Sequence, residues 1–293
     1  MRKKLVYTLL VLTIAATSLT GCKKKDANIV DNSNETTIET SVSGNDIEEN
    51  IEKSDFTIET EYVKVADYKG LEIEAFDREI TKDDIEGYIN FALSLYYSKI
   101  DVNGYIPIYT ELTDKMVSEI TEGEFTKIDE YETYVKDMLE KQAFSDYEEQ
   151  AKDELFNRVL ENSELINYDD EVYNRYMDYV TKSYNQYAEY FGENVEEFYT
   201  ESLGLESEAE YNDFLEKEAL KNIKTEYVIH AIAENEGIII KDEEVNNEIQ
   251  NYLNNGYFET EEDLFEYMTR EEIVTNLQYY KIRDFIYNNA ITE

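Results

Sequence analysis

Apolar residues recur at helical spacing through most of the second half of the chain. Between Asp129 and Asn162 they form one stripe, with acids and lysines on the opposite side. The same pattern predicts a long helix from Ser207 to Asn235, which Gly237 ends. Shorter helices are predicted to begin near Leu112, Asp169, Val195, Asp242, Thr260 and Arg270. The predicted fold class is therefore mainly α.

Two short runs ahead of these helices alternate apolar and polar residues. The runs cover residues 63–65 and 71–73, and Asp67 to Gly70 supplies a turn between them. This arrangement predicts a small β-hairpin or strand pair. Thr81 is then placed to cap a linking helix, because acids follow it in the first turn.

The amino terminus has the anatomy of a secretory signal. A basic head at residues 2–4 precedes an uncharged apolar stretch at residues 5–19, which is too short to cross a hydrocarbon core of about 30 Å. The sequence Leu19-Thr20-Gly21-Cys22 resembles the bacterial lipobox. That resemblance implies a lipid on the Cys22 thiol, cleavage between Gly21 and Cys22, and anchoring on the extracytoplasmic face of the cell membrane.

The segment after Cys22 is polar and has no sustained helical or strand period, which predicts a disordered tether. The expected organisation is a signal peptide, the tether, a strand pair with its linking helix, and a helical domain: residues 1–21, 22–58, 59–111 and 112–293.

Composition supports a helical, strongly acidic exported protein. The chain has 293 residues, one proline and ten glycines, so it carries few helix breakers. Its formal net charge is −41, which repels nucleic acid and argues against a nucleic-acid partner. The acidic residues either keep a surface-exposed chain soluble or provide affinity for basic client segments or for cations in the cell wall. The 27 tyrosines offer amphipathic contact area or simply reflect general composition.

Catalytic and metal-binding patterns are missing from the sequence. His230 is the only histidine, with Glu226 one helical turn before it, and a di-iron bundle needs a Glu-x-x-His pair on each of two helices. His230 is therefore expected at a core or boundary position rather than on a metal. No dinucleotide-binding, P-loop or EF-hand pattern occurs, so no cofactor and no catalytic residue is predicted.

Several segments together resemble the carboxy-terminal chaperone domain of the trigger factor family. They are LTDKMVSEI at 112–120, LFNRVLENSELIN at 155–167, AIAENEGIIIKDEEVNNEI at 231–249 and KIRDFIYNNAITE at 281–293. Upstream, VKVADYKGLEIEAFDREITKDDIEGYI at 63–89 is similar to the strand and helix that lead to that family's isomerase domain. The resemblance implies an elongated multi-helix body, of the trigger factor or SurA-like kind, that holds unfolded polypeptides.

The chain also departs from that family. Only residues 100–111 lie where the FKBP-type prolyl isomerase domain belongs, and the basic ribosome-docking loop is missing. We therefore expect a membrane-anchored extracytoplasmic chaperone for unfolded or newly secreted proteins, with no ribosome contact and no isomerase site. The tyrosines expected to contact such clients are Tyr176, Tyr179, Tyr187, Tyr190, Tyr199 and Tyr267, with Tyr179 and Tyr190 off the main apolar stripe and so best placed for exposure.

Two alternative functions stay open at this point. A prolyl isomerase would follow from the family's activity, although the segment that should carry the catalytic domain is short. A solute-binding lipoprotein would need two α/β lobes with parallel strands, and the chain lacks that alternation of strands and helices.

Overall fold

A computed structural model describes residues 57–100 and 112–292. The signal peptide, the lipobox with Gly21 and Cys22, most of the tether and the segment around Pro107 lie outside these residues. The helices are α1 (Lys82–Ile100), α2 (Asp114–Ile120), α3 (Ile128–Asn162), α4 (Asp170–Phe191), α5 (Val195–Glu197), α6 (Glu208–Glu236), α7 (Asp242–Asn254), α8 (Glu261–Phe265) and α9 (Arg270–Asn288). The strands are β1 (Ile58–Glu59), β2 (Val63–Val65), β3 (Glu72–Ile73), β4 (Glu164–Leu165) and β5 (Ile291–Thr292). The prediction of a mainly helical chain is confirmed.

The helix ends follow the capping residues of the sequence. The Ser207 side chain accepts a hydrogen bond from the Glu210 amide at the start of α6. Gly237 ends that helix in the left-handed conformation, at φ 65°, where a residue without Cβ has no steric cost. Thr260 and Asp263 form a reciprocal capping box at α8. These local hydrogen bonds explain why the helix boundaries could be predicted closely.

The chain divides into two compact units. Of the described residues, the first unit contains 57–67 and 160–282, and the second contains 68–100, 112–159 and 283–292. In the first unit, β1, β2 and β4 form an antiparallel sheet that lies against α6. Val63 and Val65 face the interior, and Lys64 between them is exposed. Alternation along β2 therefore buries one face of the strand.

Two apolar clusters stabilise the rest of the first unit. The cluster between α4 and α6 contains Val180, Tyr211, Leu215 and Ala219. The other cluster joins α7, α8 and the start of α9, with these buried members: Val245, Ile249, Tyr252, Phe258, Leu264, Met268 and Ile273.

The second unit has its own core. α1, α2 and the first turns of α3 bury Ile89, Leu93, Val117 and Val135, all at most 3% exposed. β3 and β5 form a parallel pair, in which the Ile291 amide donates to the Leu71 carbonyl over 2.9 Å. The last residues of the chain are thus paired with a strand more than 200 positions earlier.

The predicted strand pair needs one correction. A small amino-terminal strand pair is present, but β2 pairs with β1, and β3 pairs with β5. The prediction that residues 63–65 and 71–73 pair as a hairpin through Asp67 to Gly70 was therefore wrong. The two alternating runs belong to different sheets, and strands of two or three residues carry little information about register or partner.

Candidate functional site

The most exposed aromatic surface of the first unit is the carboxyl end of α4. Gly192 adopts φ 76° and turns the chain immediately after Phe191. Tyr190 and Phe191 are 57% and 60% exposed, and Val195, across the turn, is 37% exposed. We call these three residues, Tyr190, Phe191 and Val195, the aromatic tip. A short helix end with a glycine turn leaves these side chains without cover from their own element.

Buried rings support the aromatic tip from below. The Phe191 ring stacks on Phe198 with 6.3 Å between centroids, and Phe198 is only 4% exposed. Tyr184 lies 6.4 Å from Phe198 and 5.0 Å from Phe214. The ring contacts continue from the α4–α6 cluster to the surface. The tip is therefore exposed and also held in place, which reduces the entropy lost on binding.

The charge around the tip has one sign. Residues 183–216 contain ten acidic side chains and no lysine or arginine. Glu189, Glu196 and Glu197 lie within one helical turn of the tip and are exposed. This surface therefore combines exposed rings with a negative field, which favours apolar segments that carry lysine or arginine.

A charged contact fixes α4 on α6 at the other end of α4. The Glu226 carboxylate accepts hydrogen bonds from Arg175 Nη2, at 2.7 Å, and from the Tyr176 hydroxyl. The Arg175 guanidinium also lies 4.9 Å from the centre of the Tyr176 ring. Burial, together with the Glu226 charge, raises the pKa of Tyr176, so its hydroxyl stays protonated and remains a donor. We call Arg175, Tyr176 and Glu226 the latch.

The six tyrosines predicted to bind polypeptides have different environments. Tyr190 is exposed, as expected, and Tyr187 and Tyr267 are half-buried. Tyr179 is half-buried in the α4–α6 cluster, and burial raises its pKa. Tyr199 is 9% exposed and stacks on Tyr211 at 5.1 Å.

The expectation that Tyr179 would be exposed was therefore wrong, and Tyr199, one of the predicted contact residues, is buried. Tyr176, which is half-buried, serves the latch rather than an open surface. Phe191 and Val195 were not among the predicted contacts. Both lie within three residues of Gly192, which ends α4, and this position at a helix end is the sequence signal that could have pointed to them.

His230 lies at the exposed surface of α6. Its Nε2 lies 3.2 Å from Thr275 Oγ1, and Glu226 is engaged by Arg175. In the described parts of the chain, no three His, Cys, Asp or Glu side chains are arranged to hold a metal ion. None of the helices in residues 57–100 and 112–292 has the length and apolar character needed to cross a membrane.

The sequence model for the carboxy-terminal part of the bacterial trigger factor protein matches residues 127–288. This chain belongs to the trigger factor carboxy-terminal family. The matched region begins one residue before α3 and ends with α9, so it contains the aromatic tip and the latch. The similarity noted upstream, at residues 63–89, lies outside the match and stays a prediction.

Individual trigger factors are similar to half or more of the chain. That of Staphylococcus saprophyticus is 24% identical over 181 residues, which are 61% of this chain and 40% of that protein. The trigger factor of Syntrophomonas wolfei is 28% identical over 186 residues, or 62% of this chain and 41% of that protein. The trigger factor of Halothermothrix orenii is 30% identical over 146 residues, which are 50% of this chain and 33% of that protein. The chain thus matches well under half the length of these relatives.

Proposed function

We propose that this chain is a membrane-anchored extracytoplasmic chaperone that binds unfolded or newly exported polypeptides without catalysing prolyl isomerisation. The observation that carries the proposal is the aromatic tip, which exposes two large rings on a rigid base inside the family region. Membership of the trigger factor family supports binding of polypeptides in general. The lipobox-like sequence at Cys22 supports the location outside the cell.

The size of the tip fits weak and reversible binding. A Tyr or Phe side chain buries roughly 200 Å² when fully covered, so covering the exposed part of each ring removes about 120 Å² from water. At about 25 cal/mol per Å² this amounts to roughly 3 kcal/mol per ring before the entropy of association is subtracted. A client held this loosely exchanges quickly, as a chaperone without an energy source requires.

The acidic residues around the aromatic tip oppose self-association and favour binding of basic clients. Exposed rings favour self-association, and like charge on every copy opposes it. The same negative charge attracts the lysines and arginines that flank apolar segments in many clients. The tether of about 30 residues would let the folded part reach newly translocated chains near the membrane.

Suppression of aggregation tests the proposal. The chain lacking the leader, at near-stoichiometric ratio, is expected to reduce light scattering by a chemically unfolded model protein. The double variant Tyr190→Ser, Phe191→Ser should lose most of that effect. The matched control is Ile239→Ser, Phe265→Ser, which removes two apolar side chains that are 75% and 42% exposed on other segments. Equal loss in both variants, or no suppression by the parent chain, would refute the proposal.

The membrane anchor has its own test. Mass spectrometry of the protein from its native membrane should show a chain that begins at a lipid-modified Cys22. Cys22→Ser should release the protein into the medium or leave it uncleaved. An unmodified terminus at Met1 would overturn the anchoring part of the proposal and leave polypeptide binding untouched.

A further inference from the structure

β3 has one edge that no other strand covers. Its pairing with β5 uses the Leu71 carbonyl and the backbone of Ile73. Backbone groups of successive residues in a strand point to opposite edges, so those of Glu72 and Glu74 point away from β5. In the part of the chain that the structure describes, the amides of Glu72 and Glu74 have no hydrogen-bond acceptor, whereas both carbonyls have donors.

The donors come from two long side chains of α3. Arg158 Nη1 lies 2.6 Å from the Glu72 carbonyl oxygen, and the Tyr147 hydroxyl lies 2.5 Å from that of Glu74. Both residues lie on one face of α3, with Gln150, Ala151 and Glu154 between them. These side chains hold the edge of β3 and bridge a space that would otherwise accommodate backbone.

That space is a cleft of about 440 Å³, within the usual range of roughly 300–1,000 Å³ for ligand sites. Its rim carries the carboxylates of Glu72, Glu74 and Glu154 against one cation, Arg158, which lies 4.0 Å from Glu154. The excess of negative charge favours a basic occupant. Small Ala151 forms part of the wall and leaves the cleft open beside the strand.

We propose that this cleft binds an extended, basic segment of a client polypeptide, which pairs with the outer edge of β3 as an added strand. The segment donates to the carbonyls of Glu72 and Glu74 and accepts from their amides. Tyr147 and Arg158 release the carbonyls as it enters. This mode of binding recognises the backbone and the charge of the segment rather than a particular sequence. A chaperone needs such recognition because its clients differ in sequence. The inference rests on the proposed function, because it takes the occupant to be a client.

Binding of a fluorescent peptide of alternating lysine and valine to the leaderless chain tests the inference. The peptide is expected to bind, and a copy N-methylated at every residue should bind at least tenfold more weakly, because it cannot donate to the strand edge. A copy with glutamate in place of lysine should also bind at least tenfold more weakly. In the NMR spectrum of the labelled protein, the amides of Glu72 and Glu74 should shift and exchange more slowly with solvent.

Protein variants sharpen the test. Tyr147→Phe keeps the ring, whose centre lies 5.3 Å from that of Phe76, and removes the hydroxyl that competes for the Glu74 carbonyl. It should bind the peptide about fivefold more tightly, a gain that misfolding cannot produce. Glu154→Lys should weaken binding about tenfold. The matched control is Glu140→Lys. Glu140 is also an exposed glutamate of α3, and it pairs with Lys136 four residues away, as Glu154 pairs with Arg158.

The outcomes separate this inference from the proposed function. Equal binding of the methylated and unmethylated peptides, or amide shifts confined to other regions, would overturn strand addition even if aggregation is suppressed. Loss of suppression in the tip variant with unchanged peptide binding would support two independent sites. No aggregation suppression by the parent chain, together with peptide binding at β3, would refute the chaperone proposal and leave the cleft as a peptide site.

Discussion

The latch predicts a specific coupling between α4 and α6. Tyr176→Phe removes a hydrogen bond to a carboxylate, which contributes about 1.5–3 kcal/mol to stability. Glu226→Ala removes the same bond and also leaves the half-buried Tyr176 hydroxyl without its acceptor. The Arg175 side chain is 44% exposed, so its loss of a partner adds only about 0.5–1 kcal/mol. The expected total for Glu226→Ala is about 2–4 kcal/mol.

The double variant Tyr176→Phe, Glu226→Ala should lose less stability than the sum of the losses in the two single variants. Once Glu226 is alanine, removing the Tyr176 hydroxyl eliminates an orphaned polar group and costs almost nothing. The predicted coupling is therefore about 1.5–3 kcal/mol, the whole cost of Tyr176→Phe alone. A coupling of this size separates a direct contact from two independent effects on the fold.

Hydrogen exchange followed by mass spectrometry measures this local stability directly. Peptides from α4 in Glu226→Ala should exchange about 30- to 700-fold faster, because 1.4 kcal/mol corresponds to a factor of ten. Peptides from the first half of α3, which belongs to the second unit, serve as the internal reference and should change little. Additive single-variant effects, or equal acceleration in α3, would refute the latch.

Three further changes test the fold and its charges. Leu215→Ala, at a position 3% exposed in the α4–α6 cluster, should lower the free energy of unfolding by about 2–5 kcal/mol, measured by urea titration. Gly237→Ala should cost about 1 kcal/mol by the same titration, because alanine is strained at φ 65°. Contacts with Lys152, and secondarily with Arg283, lower the pKa of Glu149, so its contribution to stability is complete above about pH 4.5 and is lost as pH falls through the lower folded value. Between pH 6 and pH 3 the melting temperature should therefore fall more steeply for the parent chain than for Glu149→Gln. Parallel curves of melting temperature against pH would contradict a stabilising role of the Glu149 carboxylate.

The helices could be predicted because their signals are local. α6 runs from Glu208 to Glu236, one residue from the expected bounds, since Ser207 and Gly237 satisfy its terminal groups through short-range hydrogen bonds. The short helix at Val195 was also expected, but its last turn is a π-helix, with the Leu203 amide bonded to the Phe198 carbonyl at 3.1 Å. The Phe198 ring at the start of this π-helix, which spans Phe198–Ser202, packs on Tyr184 and Phe191 of α4, and no local pattern encodes such contacts.

The pairing of β3 with the end of the chain could not be predicted in the same way. Ile291 and Thr292 are exposed and show no alternation, so nothing local marks them as a strand. Their partner is chosen by the position of α9 and not by their own side chains. In place of the predicted hairpin, β3 pairs with residues more than 200 positions later in the chain.

The candidate site was predictable in part. The sequence identified α4 as rich in tyrosine, and Tyr190 is exposed. It could not separate Tyr190 from Tyr179, because both were expected off the main apolar stripe, whereas Tyr179 is half-buried in the α4–α6 cluster. The difference between them depends on the packing of α6, and therefore on tertiary structure.

Photo-crosslinking from the aromatic tip tests the central claim most directly. A photoreactive phenylalanine analogue is placed at Tyr190 in one sample and at Phe265 in another, since Phe265 is an exposed aromatic residue, 42% exposed, on a different helix. We expect an unfolded client to crosslink strongly at position 190 and weakly at position 265, and its folded form to crosslink at neither. Equal crosslinking at both positions, or no crosslink at position 190, would contradict the account.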